Sequence, residues 1–216
     1  MFITFEGPDG SGKTTILKLL VAKLEKTFPN LKLLLTREPG GKKVLEAEKI
    51  REIILNKESK ISPITEALLY TASRRIHLDQ VIIPALKRNE LILCDRYVDS
   101  FYAYQGFARE LGFEFTSQLT NLVIDNIMPK ITFFFDIKPE ESKKRRCEIR
   151  GEQNRLDQEN DDFHRKVYEG YWNLIKQEPD RFIVIDASKS VEEVFEETYR
   201  KLTENLEFKQ YIENLK

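Results

Sequence analysis

The chain has 216 residues, 35 basic against 36 acidic, a net charge of -1, and 41% hydrophobic and 33% charged side chains. That length suits a single α/β domain over residues 1–216, and the charge balance argues against a nucleic-acid partner and for a small-molecule ligand. No apolar run approaches the roughly 18 residues of a membrane helix, so no membrane contact and a cytoplasmic location are expected; Cys94 and Cys147 form no metal-type spacing with His77 and His164 and read as free thiols.

The chain opens on Phe2-Ile3-Thr4-Phe5, an apolar β-favouring run, followed at once by Glu6-Gly7-Pro8-Asp9-Gly10-Ser11-Gly12-Lys13-Thr14-Thr15 and the helical pattern Ile16-Leu17-Leu19-Leu20. Gly7, four residues and Gly12-Lys13-Thr14 fit a phosphate-binding loop, whose backbone N–H groups surround a triphosphate, with the lysine on the β/γ-phosphates and the hydroxyl on Mg²⁺. An ordinary Gly-rich turn is the alternative. Strand before and helix after are the context the loop requires, and a helix N-terminus already favours an anion. Lys13 is read as an exposed loop lysine.

Further β-favouring runs follow at 32–36, 91–94, 131–135 and 182–185, all short and of the buried parallel type. Five such runs separated by helical patterns predict a doubly wound sheet. The longest helical pattern covers about 65–88, entered through Ser62 as N-cap and Pro63 at the first helical position; Pro84 inside it predicts a kink or an early end. From Val191 onward one or two amphipathic helices are expected to cover the sheet. Ligands in such folds sit at the carboxyl ends of the strands, so Thr36-Arg37-Glu38-Pro39-Gly40-Gly41, Asp95-Arg96-Tyr97 and Asp186 are expected to ring the mouth of the phosphate loop.

Asp95, ending an apolar strand, is placed to hold Mg²⁺ directly or through water; a helix N-cap is its other use. Arg37, Arg51, Arg74 and Arg96 are candidates to grip a second phosphate, because guanidinium forks match phosphate oxygens. Lys143, Lys144, Arg145, Arg146, Arg150 and Arg155 form a basic segment with Gly151 as a break. It is either a lid over phosphates or a solvated helix, since Glu140, Glu141 and Glu148 are interleaved with it. Tyr70, Tyr97, Phe101, Tyr102, Tyr104 and Phe107 either stack on a base or belong to the core. No histidine is expected near any of these motifs.

Taken together, the phosphate loop from Phe5 to Thr15, Thr36-Arg37-Glu38-Pro39-Gly40-Gly41, Asp95-Arg96-Tyr97 and Ala103-Tyr104-Gln105-Gly106 resemble the bacterial thymidylate kinase family over nearly the whole chain, in the right order. The resemblance implies a P-loop NTPase fold: a five-stranded parallel sheet with helices on both faces and a basic lid over about residues 143–157. It implies transfer of the γ-phosphate of ATP to dTMP, giving ADP and dTDP, with Mg²⁺ held by Thr14 and Asp95, and a homodimer. By resemblance, Gly7, Pro8, Asp9, Gly10, Ser11, Gly12, Lys13, Thr14 and Thr15 bind ATP together with Arg146. Arg51 and Arg96 grip the dTMP phosphate, and Asp9 reaches the deoxyribose 3′-OH. Tyr70 stacks on the base, Arg74 and Gln105 bond its edge, and Tyr104 disfavours a ribose hydroxyl; Arg37, Glu38 and Phe101 complete the acceptor site.

The catalytic set implied is Lys13, Arg96, Asp9 and a lid arginine, Arg150, with Arg146 and Arg155 as its neighbours. Gly10 marks the branch of the family whose catalytic arginine comes from the lid, where the other branch has an arginine in the loop. The Glu38-Pro39 peptide is expected to be cis. Two departures stand out: Phe101 replaces a residue that is usually small or hydroxylated, implying either a tighter pocket or an altered acceptor preference, and the segment 42–48 is slightly long. A different P-loop deoxynucleoside-monophosphate kinase, with altered base preference, is the neighbouring reading. Against a GTP-driven switch, Asn56-Lys57-Glu58-Ser59 fails the guanine-binding pattern at its last position.

Overall fold

Each apolar run forms a strand that extends into the polar residue after it, where the chain turns toward a ligand-facing loop. In the computed structural model, which describes residues 1–149 and 154–215, the first half runs β1 Phe2–Glu6, α1 Lys13–Thr27, β2 Leu33–Arg37, α2 Leu45–Leu55, α3 Pro63–His77, a π-helical turn Leu78–Ile82, α4 Ile83–Lys87 and β3 Leu91–Asp95. The second half runs α5 Val98–Phe101, a π-helical segment Tyr102–Ala108, α6 Phe113–Asn121, β4 Ile131–Asp136, α7 Pro139–Ile149, α8 Asp161–Gln177, β5 Phe182–Asp186, α9 Val191–Glu204 and α10 Leu206–Glu213. Arg150 and Gly151 lie outside the described residues, as does the side chain of Cys147.

The strands form one parallel sheet in the order β2-β3-β1-β4-β5. Parallel strands need crossover connections, and here helices supply them on both faces. Alternate residues therefore enter two different cores. Ile3, Phe5, Leu93, Phe133 and Phe135 pack against Ile16, Leu17 and Leu20 of α1, with the Phe5 and Phe133 rings stacked at 5.3 Å. Phe2, Ile92, Cys94 and Phe134 face the other way, toward Leu78, Ile82, Tyr97 and Tyr171. Burying one such phenylalanine is worth about 1.5–3 kcal/mol.

Ser62 caps α3 as expected, its Oγ accepting from Thr65 N at 3.2 Å, with Pro63 in the first turn. The helix does not end early at Pro84. The π-helical turn immediately ahead widens the backbone where the proline ring would clash and its missing N–H would leave a gap, so the helical path runs on to Lys87. The chain after Val191 is two helices, α9 opening on a capping box between Ser190 and Glu193.

Candidate active site

The carboxyl ends of β1 and β3 are adjacent, with Phe5 opposite Asp95, and this register sets the phosphate loop beside Asp95-Arg96-Tyr97. Gly7 must be glycine: its φ is +135°, and a Cβ there would lie 2.7 Å from the Phe135 carbonyl oxygen. Lys13 is buried rather than exposed. Its Nζ donates to the carbonyls of Gly7 and Pro8, both at 2.9 Å, and lies 3.2 Å from Ser11 Oγ. Burial, then the charge of Arg96, lowers its pKa to about 8. In this way Gly7, Pro8 and Ser11 serve the loop by holding the lysine, while Asp9, Gly10, Gly12, Lys13, Thr14 and Thr15 line a cleft of about 520 Å³.

Thr14 Oγ1 donates to Asp95 Oδ2 at 3.0 Å, so a hydroxyl and a carboxylate meet at the mouth of the loop. Two hard oxygen donors fit Mg²⁺, which takes one or two protein oxygens and completes its shell with water and phosphate. Among the described residues no group of three or more His, Cys, Asp or Glu side chains is placed to hold an ion by itself.

Arg96 lies between the loop and the rest of the cleft, with a left-handed φ of +70°. Its Nη1 donates to Ser100 Oγ at 2.8 Å and Tyr171 OH at 3.1 Å, and its Nη2 to Asp9 Oδ1 at 3.2 Å. The guanidinium also sits 5.3 Å over the Tyr104 ring. Behind it lies Glu6, fully buried, accepting from Tyr97 N at 2.7 Å, Ser100 Oγ at 2.5 Å and Tyr171 OH at 3.1 Å. Burial, and next the charge of Asp99, pushes the Glu6 carboxyl up to about 7. Sequence reasoning gave Glu6 no role, although an acid at the end of a buried strand was a visible signal.

The far end of the cleft is built on Arg74, 2% exposed, whose Nε donates to Glu38 Oε2 at 2.8 Å. Its guanidinium lies 5.3 Å from the Tyr97 ring centre and 5.1 Å from that of Phe101. Glu38 Oε1 is 3.1 Å from His77 Nδ1, and His77 Nε2 is 2.7 Å from Thr36 Oγ1. A histidine therefore does sit in a motif: α3 crosses the end of β2 and inserts His77 against Gly41, where a Cβ would lie 2.6 Å from its ring. Burial would raise the Glu38 carboxyl, but Arg74 and His77 together hold it below its usual range. With both oxygens so engaged, Glu38 acts by holding Arg74. The Glu38-Pro39 peptide is cis, as expected. Gln105 Nε2 donates to Glu66 Oε1 at 2.7 Å, while Gln105 Oε1 and Arg74 Nη1 are buried without a partner among the described residues. Tyr70, Phe101 and Tyr104 line the same cleft.

The sequence profile described as Thymidylate kinase matches residues 5–198. A thymidylate kinase of Mycoplasmopsis agalactiae is 55% identical over 214 residues, 99% of this chain and 100% of the relative. One from Bacillus pumilus is 49% identical over 208 residues, 95% and 96% of the two chains. The crystal structure of thymidylate kinase from Ehrlichia chaffeensis superposes with a TM-score of 0.77 at 33% identity, covering 94% of this chain and 98% of that one. The chain belongs to the thymidylate kinase family.

For a member of the thymidylate kinase family, one expectation about the mouth needs correction, and two readings the sequence left open are decided residue by residue. Asp186 does not ring the mouth: β5 is the edge strand beyond β4, and the exposed Asp186 accepts from Ser188 N and Oγ, outside the cleft. Tyr102 and Phe107 are packing residues, the first against Phe113 at 5.1 Å and the second beneath Gly170. The basic segment divides. Lys143 pairs with Asp161 at 2.7 Å and Arg145 with Glu141 at 2.6 Å, which is the solvated-helix behaviour. Arg155 donates to the Ile54 carbonyl at 2.9 Å and pairs with Glu66, which turns it away from the phosphate loop.

Arg146 is different. It is 5% exposed, with Nη1 3.3 Å from His164 Nδ1, and a Cβ on Gly10 would lie 3.2 Å from its Cγ and 2.9 Å from the Ser142 carbonyl oxygen. Ser142 Oγ donates to the Asp9 carbonyl at 2.6 Å, so α7 docks on the phosphate loop and the missing side chain at Gly10 makes room for it. Arg37 Nη2 donates to both Glu48 carboxylate oxygens, at 3.0 and 2.8 Å, and Arg37 Nη1 and Arg51 Nη1 both donate to the Pro39 carbonyl. Both line the cleft, and with Arg37 charge-paired, Arg51 is the better placed of the two to meet an anion.

Proposed function

We propose that the chain transfers the γ-phosphate of ATP to the phosphate of dTMP, giving dTDP and ADP. The observation that carries this reading is a pair of buried, unpartnered polar groups on two residues that line the cleft. Arg74 Nη1 offers a donor and Gln105 Oε1 an acceptor, the complement of the N3–H and 4-oxo edge of thymine, with Arg96 between them and the loop.

An acceptor phosphate monoester has its second pKa near about 6, so it is largely dianionic at neutral pH and needs no general base. The site must instead hold two mutually repelling phosphates in line and compensate their charge. Lys13 and the loop amides take the ATP phosphates; Arg96, braced by Ser100, Tyr171 and Asp9, takes the acceptor phosphate with Arg51. Thr14 and Asp95 would hold Mg²⁺, which when bound draws negative charge from the β- and γ-phosphate oxygens. Arg146 at the loop contributes to the ATP side, and the catalytic lid cation is assigned to Arg150. Closure of this segment excludes water that would otherwise hydrolyse ATP. We further read the protein as a cytoplasmic homodimer. Leu45 and Ile53 of α2 and Ile64 and Leu68 of α3 are large apolar side chains left exposed, which a second copy would cover.

The test is ADP release from ATP with dTMP, dUMP, dCMP and thymidine as acceptors. Turnover with dTMP, less with dCMP and none with thymidine is expected. No dTMP-dependent ADP release, or preference for dCMP, defeats the reading.

A further inference from the structure

A buried carboxamide can sit in two ways, related by a half-turn about its terminal bond, and its neighbours choose between them. Gln105 is 1% exposed, and what it faces on the protein side is Glu66, also 1% exposed. Glu66 Oε1 accepts from Gln105 Nε2 at 2.7 Å and from Arg109 Nε at 3.2 Å; Glu66 Oε2 accepts from Arg109 Nη2 at 3.2 Å and from Arg155. Burial would raise the Glu66 carboxyl, but Arg109, Gln105 and Arg155 outweigh it and hold it below its usual range. An ionised carboxylate has no proton to give. Gln105 must therefore turn its NH₂ to Glu66, and its carbonyl oxygen is left as the unpartnered atom of a residue that lines the cleft.

The consequence is chemical. With Arg74 Nη1 as a second buried, unpartnered group on a residue lining the cleft, the site has one acceptor and one donor left for a base. Thymine and uracil offer the matching N3–H and 4-oxo groups, whereas cytosine offers an N3 acceptor and a 4-amino donor, a mismatch at both positions. We infer that Glu66, which does not line the cleft, is a specificity-determining positioning residue that fixes the Gln105 amide in the orientation selecting an N3–H base. The inference rests on the dTMP kinase reading.

Glu66→Gln tests it at constant size. The new side chain has one oxygen, and the Arg109 and Arg155 guanidinium groups both claim it. Its NH₂ then faces Gln105, whose amide turns over to accept and points its own NH₂ into the cleft. The ratio of kcat/KM for dTMP to that for dCMP is expected to fall roughly 10- to 100-fold, the scale of reversing one base-edge hydrogen bond. The dTMP to dUMP ratio stays as in the parent, because both bases share the N3–H and 4-oxo edge. Glu66→Asp keeps an acceptor-only group and retains the dTMP preference.

A merely structural role moves all three acceptors together. If Glu66→Gln melts as a folded protein and its dTMP to dCMP ratio stays within about threefold of the parent, a change too small for a reversed pair, the inference is overturned. Should the variant not fold, neutron diffraction on the unaltered chain decides. Deuterons of Gln105 Nε2 directed at Glu66 support the inference, and deuterons directed into the cleft overturn it. A parent chain inactive with dTMP defeats the proposed function instead, and the neutron result still judges Glu66.

Discussion

Replacing Glu6 by Gln removes a negative charge that the fold holds at a cost. Glu6 lies fully buried at the end of β1, bonded to Tyr97 N, Ser100 and Tyr171, with Asp99 and Arg96 near it. Burial and Asp99 raise its pKa from 4.5 to about 7, and the opposing pull of Arg96, Ser100 and Tyr97 does not cancel them. At about 1.4 kcal/mol per pH unit, a rise from 4.5 to about 7 corresponds to about 3 kcal/mol. A carboxyl whose folded pKa lies above its unfolded value takes up a proton on folding between the two. Its contribution to stability is therefore most favourable below 4.5, falls as pH rises to about 7, and is level beyond. Gln is neutral and of the same size, its carbonyl can keep the Tyr97 N–H, and the Ser100 and Tyr171 hydroxyls can turn to accept from its NH₂.

Urea unfolding of parent and Glu6→Gln at intervals through this range measures the effect, and their difference cancels groups common to both, such as Asp136 and His164. The parent is expected to lose about 3 kcal/mol relative to the variant between the two pKa values. A difference that does not change with pH would refute the reasoning, since Glu6 would then not be a buried titrating acid.

Two further predictions concern turnover. Lys13→Ala should lower phosphoryl transfer roughly 10²–10³-fold and, because its Nζ ties the Gly7 and Pro8 carbonyls together, lower stability by about 1–2 kcal/mol; steady-state kinetics near the parental turnover would sink the loop assignment. Arg150→Ala should lose roughly 10²–10³-fold in kcat with KM for dTMP almost unchanged, whereas Arg96→Ala should also raise that KM, since Arg96 meets the acceptor phosphate before reaction. If Arg150→Ala stays within about threefold of the parent while Arg146→Ala is inactive, the lid cation is Arg146, the one already against the loop.

What was legible in the sequence divides by how far apart the cooperating residues lie. The five strands were readable because each is a short, mainly apolar run, buried on both faces in β1, β3 and β4 and half-buried at the edges in β2 and β5, and only the terminal polar residue of each was missed. The phosphate loop was readable because its geometry is local: Gly7, Pro8, Ser11 and Lys13 act on one another within a few residues. Arg74 and Gln105 could be placed by resemblance. Their supports could not, because Glu66 meets Gln105 across 39 positions, and His77, which braces the Glu38 partner of Arg74, meets Thr36 across 41.

In a chain that is 33% charged, an acid on a helix that will be buried against an arginine, as Glu66 is against Arg109, carries no local mark distinguishing it from one on a solvated helix. Lys143 and Arg146 make the same point from the other side. They are three positions apart on one helix, yet one pairs with Asp161 at 55% side-chain exposure and the other is buried against the phosphate loop. The difference follows from where α7 docks, and docking is set by Ser142 reaching the Asp9 carbonyl and by the absence of a side chain at Gly10. The identity of Gly10 thus has a steric consequence: a larger residue at position 10 would push α7 and Arg146 off the loop, so a cation placed within the loop and one delivered by this helix exclude each other by volume.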